Sequence, residues 1–367
     1  MDFANLIKKN LWKIGVFFGV MILILIVLVL LMPKADSVSS KDSYALIEKK
    51  MAQSAERYFK KNPKIIPDIN EEKKVDLQTL IDAKVIKPIK SKNQKDSFCT
   101  GEVTAVNKND LIVYKPYLKC GEDYETTSIA KHIIDNDVIT EGDGLYKVDN
   151  KYIYKGDKPN NYLKIGEKTF RILSINEENE LRVINPDTTK DLTYWDNRYN
   201  SETKRVDGIN DFNKSRIKDF LKEYINSEEV SSELKKLIIS KQFCIGRRAL
   251  NDTNFNGEAE CSALSEELYF GLIQANEYFN ASLDPNCTNV TTRSCSNYNY
   301  LGEMRNNIIT ITASSTDTYK IYEVYYGTLR ATEARAFFNP NVVFHIDKDA
   351  IYNKGDGTES NPYRVRI

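Results

Sequence analysis

An uninterrupted apolar run near the N-terminus constrains this chain more than any other feature of its sequence. Residues Ile14–Met32 contain no charged side chain and no proline. As a helix rising about 1.5 Å per residue, this run would nearly cover the roughly 30 Å hydrocarbon core of a bilayer. A helix also pairs its backbone amides internally, which is required where no water is available. The sequence therefore predicts a transmembrane helix at residues 14–32 that holds the protein in the lipid bilayer.

The charges on either side of this run predict its orientation. Three lysines precede it, whereas only Lys34 follows it closely. Since positive charge is retained on the cytoplasmic side, residues 1–13 form a cytoplasmic tail and the rest of the chain is extracellular. A cleaved signal peptide is the alternative, but its apolar region is normally about 7–15 residues long and ends in a small-x-small site. The longer run and the poor site around Ala35 favour an uncleaved, single-pass anchor in the cell membrane.

The overall composition argues against a nucleic-acid partner. Lys+Arg and Asp+Glu are both 52, so no net positive field would attract a polyanion. The 22 tyrosines, together with many Asn, Lys and Ile residues, favour polar, β-rich domains over a helical enzyme.

The cysteines suggest an oxidising compartment. All six follow the anchor, and an even number confined to the outside is what disulfides require. Several connectivities are open, and pairing of sequence neighbours is favoured because each couple falls within one local segment. A zinc site is disfavoured because no Cys-x-x-Cys occurs and the histidines are distant; free buried thiols are the alternative if the exterior is not oxidising. The cysteines are Cys99, Cys120, Cys244, Cys261, Cys287 and Cys295.

After a polar linker at residues 33–42, residues 43–125 form a small helix-plus-hairpin module. A helix capped by Asp42 or Ser43 is predicted to end at Asn62-Pro63. Its apolar stripe, at spacings of three and four residues, predicts a buried face. The stripe consists of Tyr44, Ile47, Met51, Ala55 and Tyr58.

A second helix is predicted at Val75–Ile86, and two β-rich runs around Asn107–Asn109 then predict a hairpin with Cys99 and Cys120 near its open ends. An anchor helix, an amphipathic helix and a disulfide-closed hairpin together resemble the heads of type IV pilins and pseudopilins. The Gly and Glu that mark the start of mature pilins are absent, so the resemblance covers about residues 40–125 and does not extend to pilus assembly.

Residues 126–144 are interpreted as an acidic connector, and residues 145–367 as a β-rich extracellular α+β domain. Hairpin turns and alternating runs dominate this domain. Helices are predicted at Phe212–Ile225 and Ser231–Ile239, after which Ser240–Cys244 returns to the sheet. Core positions are predicted at Phe170, Ile172 and Leu173.

Four segments of this domain carry a resemblance to a known family. They are NNYLKIG (Asn160–Gly166), FCIGR (Phe243–Arg247), FGLIQANEY (Phe270–Tyr278) and GDGTESNPY (Gly355–Tyr363). Together they resemble a domain of unknown function that is common in surface proteins of low-GC Gram-positive bacteria and often lies behind a transmembrane helix. The resemblance implies an architecture loosely similar to C-type-lectin-like and formylglycine-generating-enzyme-like folds.

The sequence departs from this family at two positions. The family Trp is replaced by Phe170, and the usual Arg falls at Asn341. We expect these two residues to serve in packing and in solvent contact, because Phe has no N–H and Asn has no charge.

No catalytic residue is predicted. Among the two histidines, His132 falls in the connector and His345 lies in the apolar strand VVFHI, where a structural role is expected. No nucleophile elbow, HExxH or P-loop sequence occurs. An extracytoplasmic enzyme, either a hydrolase or a formylglycine-generating type using Cys244 and Cys261, is the alternative function.

One loop suggests a calcium site. Its alternating oxygen-bearing residues and Gly257 resemble the opening of an EF-hand loop. Ala263 stands where the bidentate Glu is expected, so a solvated loop is the alternative and no metal or other cofactor is assigned. The candidate ligands are Asp252, Asn254, Asn256, Glu258 and Glu260.

Together these features predict a non-catalytic, membrane-anchored surface protein with a binding or envelope-structural role. Its exposed tyrosines would contact a surface protein or glycan, because aromatic rings stack on sugars and pack against proteins. The sequence does not identify the ligand.

Overall fold

A computed structural model describes residue 21 and residues 43–366, apart from positions 70, 94–96, 109–110, 289–290, 303 and 305–306. The predicted anchor at Ile14–Met32 lies outside the described residues except for Met21, and so do the tail 1–13 and the linker 33–42. Within the described part of the chain, no helix is long and apolar enough to cross a membrane.

The described residues form a β-rich mixture of helices and strands, which confirms the α+β class. The chain divides into two compact units. The first comprises the residues up to Val106 together with Pro116–Glu125, and the second comprises Asn107–Lys115 and the residues from Thr126 onward.

Helix α1 (Tyr44–Lys61) is the main helix of the first unit. It begins where predicted, because the Ser43 side chain accepts a hydrogen bond from the Leu46 amide at 3.2 Å. It ends at Asn62, and a 3₁₀ turn follows at Pro63–Ile65. Its apolar buried face consists of Ile47, Met51, Ala55 and Phe59.

Four antiparallel strands, hydrogen-bonded in chain order, follow α1. They are β1 (Glu72–Asp76), β2 (Thr100–Lys108), β3 (Leu111–Cys120) and β4 (Tyr124–Glu125). The predicted hairpin is confirmed by β2 and β3.

The predicted helix at Val75–Ile86 is wrong at both ends. Val75 lies in β1 opposite Val103, and α2 spans only Leu77–Asp82. The Asp76 carboxylate caps α2 by accepting the Thr79 amide at 2.7 Å. The β-branched Val75 therefore pairs with a neighbouring strand, a long-range contact that overrides the helical spacing.

The segment interpreted as a connector contains a helix of the second unit. Helix α3 (Ile129–Asp137) lies within residues 126–144, and Ser128 caps it by accepting the Lys131 amide at 3.2 Å. Acidic residues in this segment obscure an apolar face, formed by Ile129, Ala130 and Ile133, which is fully buried.

A large mixed sheet forms the centre of the second unit. Its strands are β5 (Gly144–Val148), β6 (Lys151–Lys155), β7 (Tyr162–Ile165), β8 (Lys168–Ile175), β9 (Leu181–Ile184), β11 (Ile238–Ile239), β15 (Phe270–Gly271), β20 (Val343–Ile346), β21 (Ile351–Lys354) and β22 (Tyr363–Arg366). The central path has the order β11-β20-β9-β8-β7-β22-β21; β6 also pairs with β8, β5 with β6, and β15 with β20. β7 and β22 are the parallel pair.

Smaller ladders accompany this sheet, with strands β10 (Thr193–Tyr194), β12 (Lys241–Cys244), β13 (Arg247–Arg248), β14 (Leu264–Leu268), β16 (Asn307–Ser314), β17 (Lys320–Tyr325), β18 (Thr328–Glu333) and β19 (Phe337–Phe338). β10 pairs with β19, β12 pairs with β14, and the others form a sheet of order β13-β16-β17-β18. The segment Ser240–Cys244 thus returns to a strand as predicted, but in a separate ladder.

The later helices are shorter than predicted. Within Phe212–Ile225, Ser215 interrupts the helix and caps its second part by accepting the Lys218 amide. The segment Ser231–Ile239 ends as strand β11. The helices are α4 (Arg216–Glu223), α5 (Ser232–Leu237) and α6 (Ala275–Asn280), with 3₁₀ turns at Phe212–Lys214, Tyr224–Asn226, Glu260–Ser262 and Arg293–Ser296.

The two positions that depart from the family pattern are both buried. Phe170 lies in the core and meets the Phe344 ring edge-on at 5.2 Å, which confirms its packing role. The expectation that Asn341 contacts solvent is wrong. Its side-chain amide donates to the carbonyls of Asn185 at 3.2 Å and Pro186 at 2.9 Å, which are the partners that a buried amide requires.

The segments NNYLKIG and GDGTESNPY, almost two hundred residues apart in the chain, meet in the fold. The Tyr162 amide donates to the Gly357 carbonyl at 2.9 Å, and Tyr363 in β22 lies opposite Leu163 in β7. Gly357 has a φ of +76°, and a Cβ there would lie 2.2 Å from the carbonyl oxygen of Asn160. These segments therefore form a structural joint between non-adjacent parts of the chain.

We predict that Gly357→Ala lowers the free energy of unfolding by about 2–4 kcal/mol, because the methyl group meets backbone and the φ is left-handed. Gly142→Ala is the matched control, since Gly142 has a φ of +79° but no atom within 4 Å of the added Cβ. We expect it to cost only about 1–2 kcal/mol. Chemical denaturation of both variants measures the difference, and equal losses would contradict a tightly packed joint.

Candidate functional site

The six cysteines, all within the described residues, form three disulfides between sequence neighbours, as the sequence analysis favoured. Cys99–Cys120, Cys244–Cys261 and Cys287–Cys295 have Cα separations of 4.2, 4.4 and 4.5 Å. Each closes a local loop and thereby restricts the unfolded chain. These disulfides are consistent with an extracellular protein.

A mostly buried ion pair between Arg182 and Glu277 joins β9 to α6. Arg182 donates from Nη2 to Glu277 Oε2 at 2.9 Å, and from Nε to the other carboxylate oxygen. Glu277 also accepts the Gln274 amide at 2.8 Å and so closes the capping box of α6. This bidentate pair orients the helix against the sheet.

His345 of β20 lies beside this guanidinium. Its Nε2 is 3.4 Å from Arg182 Nη1, and its ring centroid is 5.4 Å from that of Phe243. Since a guanidinium only donates, Nε2 is the accepting nitrogen and Nδ1 carries the proton. Burial, followed by the charges of Arg182 and Lys241, lowers the pKa of His345 well below its usual value. The imidazole therefore stays neutral in the folded protein.

We predict that the protein loses stability as the pH falls below about 6.5, because the unfolded chain then binds a proton that His345 resists in the fold. The loss attributable to this group is about 1 kcal/mol over the first pH unit. His345→Gln should remove that part of the decrease, measured by urea denaturation between about pH 7.5 and 5.

His132→Gln is the control for this measurement, because burial also lowers the pKa of His132 but to a lesser extent. This variant should retain most of the decrease in stability. A His345→Gln curve parallel to that of the unmodified protein would contradict a neutral, structural His345.

His132 lies on α3 rather than in an irregular connector. Its ring stacks on Tyr352, with centroids 3.5 Å apart and planes inclined by 11°. The neighbouring Asp137 accepts a hydrogen bond from the Tyr363 hydroxyl, and burial raises the pKa of this carboxyl. His132 thus packs against the C-terminal strands β21 and β22, and in the described residues its imidazole bonds to no hydroxyl or thiol.

The loop considered for calcium encloses a guanidinium. Arg248, whose side chain is fully buried, donates from Nη1 to Glu260 at 2.7 Å. Its Nη2 donates to the carbonyls of Asp252 and Asn254, both at 3.0 Å. The oxygens at the centre of the loop therefore bind the guanidinium of Arg248.

The remaining candidate ligands are used by the loop backbone. The side-chain oxygens of Asp252, Asn254 and Asn256 each accept the amide two residues further on, at 2.9, 2.9 and 3.0 Å. Glu258 is exposed. In the described part of the chain, no group of three or more acidic, His or Cys side chains is arranged to hold a metal ion. The spacing that resembles an EF-hand loop thus forms a series of Asx turns.

We predict that Arg248→Met destabilises the protein by about 3–5 kcal/mol, because Glu260 is left buried without its cation. Adding Glu260→Leu should restore part of that stability, whereas Arg247→Met, at an exposed neighbour, should cost less than about 1 kcal/mol. Thermal and denaturant unfolding of these variants measure the differences. A calcium-dependent rise in the melting temperature of the unmodified protein would contradict the assignment of this loop to Arg248.

A polar cavity of about 40 Å³ lies between β6, β8 and α6. Tyr154, Asn276 and Tyr300 line it, and burial is the main cause that raises the pKa of both tyrosines. A water molecule needs a cavity of about 10–15 Å³, whereas organic ligands occupy pockets of roughly 300–1,000 Å³. The cavity therefore suits ordered water and is too small for an organic substrate.

The sequence patterns did not reveal Arg248, a charged residue whose side chain is fully buried. The segment FCIGR ends at Arg247, which is exposed, and Arg248 turns inward on β13. Successive side chains of a β-strand point to opposite faces, so two adjacent arginines in a strand indicate that one of them faces the core. The partners of Arg182 could not be found in this way, because Glu277 is almost one hundred residues away.

Comparison of the chain with protein-family models, curated proteins and solved structures finds no match.

Proposed function

We propose that the protein is a non-catalytic surface protein anchored in the cell membrane by Ile14–Met32. Its tail would lie in the cytoplasm and residues 34–367 outside the cell. The three disulfides carry this proposal, because such bonds form and persist in oxidising, extracytoplasmic compartments. The apolar run and the preceding lysines provide the anchor and its orientation.

The extracellular part would combine a pilin-head-like module at residues 43–125 with a lectin-like domain at residues 145–367. Helix α1, four antiparallel strands and the Cys99–Cys120 bridge support the first assignment. The joint between NNYLKIG and GDGTESNPY supports the second, because the most specific segments of the Gram-positive surface-domain resemblance are neighbours.

A binding or envelope-structural role accounts for the arrangement better than catalysis. In the described residues, neither imidazole is hydrogen-bonded to a hydroxyl or thiol, as a nucleophile–base pair requires. Tyr194 and Phe337 instead form an exposed aromatic pair, with ring centroids 4.7 Å apart across β10 and β19. Such rings stack on sugars or pack against proteins, so the partner would be a glycan or a surface protein.

We predict that protease added to intact cells expressing the full chain digests the extracellular units and leaves a small membrane-bound fragment. The reason is that the lysines before the apolar run keep the N-terminus in the cytoplasm. Immunoblotting with tags at both ends measures the result, and an intact cytoplasmic marker serves as the control.

Replacing Lys8, Lys9 and Lys13 by Gln should produce a mixed orientation, seen as partial protection of the C-terminal tag. Complete protection of the unmodified chain would contradict the proposed topology.

A further inference from the structure

An open groove of about 730 Å³ lies on the second unit, beside the end of α4 and the Tyr224–Asn226 turn. Five carboxylates and a single ammonium, that of Lys190, line it. The carboxylates belong to Asp191, Asp219, Glu223, Glu228 and Glu229. A concave surface lined by one sign of charge concentrates the field and attracts ligands of the opposite sign.

The chain neutralises only part of this charge. Asp219 lies 3.9 Å from Lys218, and Glu229 lies 4.0 Å from Lys168 and accepts the Lys190 amide at 3.0 Å. Within the described residues, no Lys, Arg or His nitrogen lies within 4.0 Å of the remaining three carboxylates. These are Asp191, Glu223 and Glu228.

A buried tyrosine faces the same groove. Tyr224 is only 6% exposed, and its hydroxyl forms no hydrogen bond with any described residue. Burial, then the charges of Glu229 and Asp191, raises its pKa. The phenol therefore stays protonated and offers an oxygen that can accept a hydrogen bond from a cation. Its ring stacks with Phe220 at 5.8 Å and 28°, which gives the groove an aromatic floor.

The chemistry of the lining residues indicates the class of ligand. A calcium ion needs six to eight oxygens at about 2.3–2.6 Å, and no such convergence of acidic side chains occurs in the described residues. Separated carboxylates instead match separated positive charges. Arginine fits best, because its planar guanidinium binds carboxylates in a bidentate manner and also stacks on aromatic rings.

We propose that this groove binds an arginine-rich segment of a partner polypeptide. Its guanidinium groups pair with Asp191, Glu223 and Glu228, and one of them stacks on Phe220 within reach of the Tyr224 hydroxyl. Acidic segments are disfavoured, because they would place like charges beside the uncompensated carboxylates.

Fluorescence anisotropy of labelled hexa-arginine, with the full chain in an uncharged detergent, tests the proposal. The triple variant Asp191→Asn, Glu223→Gln, Glu228→Gln should weaken binding by at least ~10-fold, because three ion pairs are lost. Tyr224→Phe should weaken it ~3-fold through the lost hydrogen bond. The matched control Glu177→Gln, Glu178→Gln, Glu359→Gln removes the same charge from exposed positions outside the groove and should change affinity by less than ~2-fold.

Circular dichroism and thermal unfolding of each variant exclude a loss of fold as the cause of weaker binding. Equal weakening by the control triple variant would overturn the proposal, since binding would then follow net charge alone. Equal affinity for a linear polyamine would overturn the assignment to a polypeptide, and equal affinity for hexa-lysine would overturn the assignment to arginine.

Discussion

The burial of guanidinium groups is the constraint on which the second unit depends. A charge removed from water costs several kcal/mol unless carboxylates, amides or carbonyls surround it. Arg248 and Arg182 are held by Glu260 and Glu277, and Arg171 donates to Asn161 at 2.5 Å while lying over the Tyr162 ring at 3.8 Å. The Arg182–Glu277 pair joins segments 95 residues apart in the chain, whereas Arg248 and Arg171 hold partners 12 and 10 residues away.

This constraint determines what the segments with unusual sequences do. Asn161 lies in NNYLKIG, and Glu277 lies in FGLIQANEY. Both are engaged by buried arginines, and the Asn-rich loop surrounds a third. The polar residues of these segments therefore bind buried arginines and hold the interior together. Asp191, Glu223 and Glu228 in the acidic groove and the rings of Tyr194 and Phe337 are instead exposed at the surface.

Local patterns predicted much of the fold. The start and end of α1, the β2–β3 hairpin and the pairing of neighbouring cysteines all follow from contacts between residues close in the chain. The predictions were wrong where a distant partner decided the outcome. Val75 extends into β1 because Val103 lies opposite it, and Asn341 is buried because two carbonyls need its amide. The helix in residues 126–144 was missed because acidic residues obscured its apolar face.

The sequence by itself determined the apolar run at residues 14–32, the even set of cysteines and the alternation that produces a β-rich chain, because these depend on composition and spacing alone. Only the tertiary structure decided that Arg248 fills the loop considered for calcium and that Asp191 and Glu228 share a groove with Tyr224. The net charge of the whole chain is zero, so the composition does not reveal a local excess of negative charge. That excess arises because folding brings α4, its following turn and a distant loop to one surface, where the field of each carboxylate adds to the others.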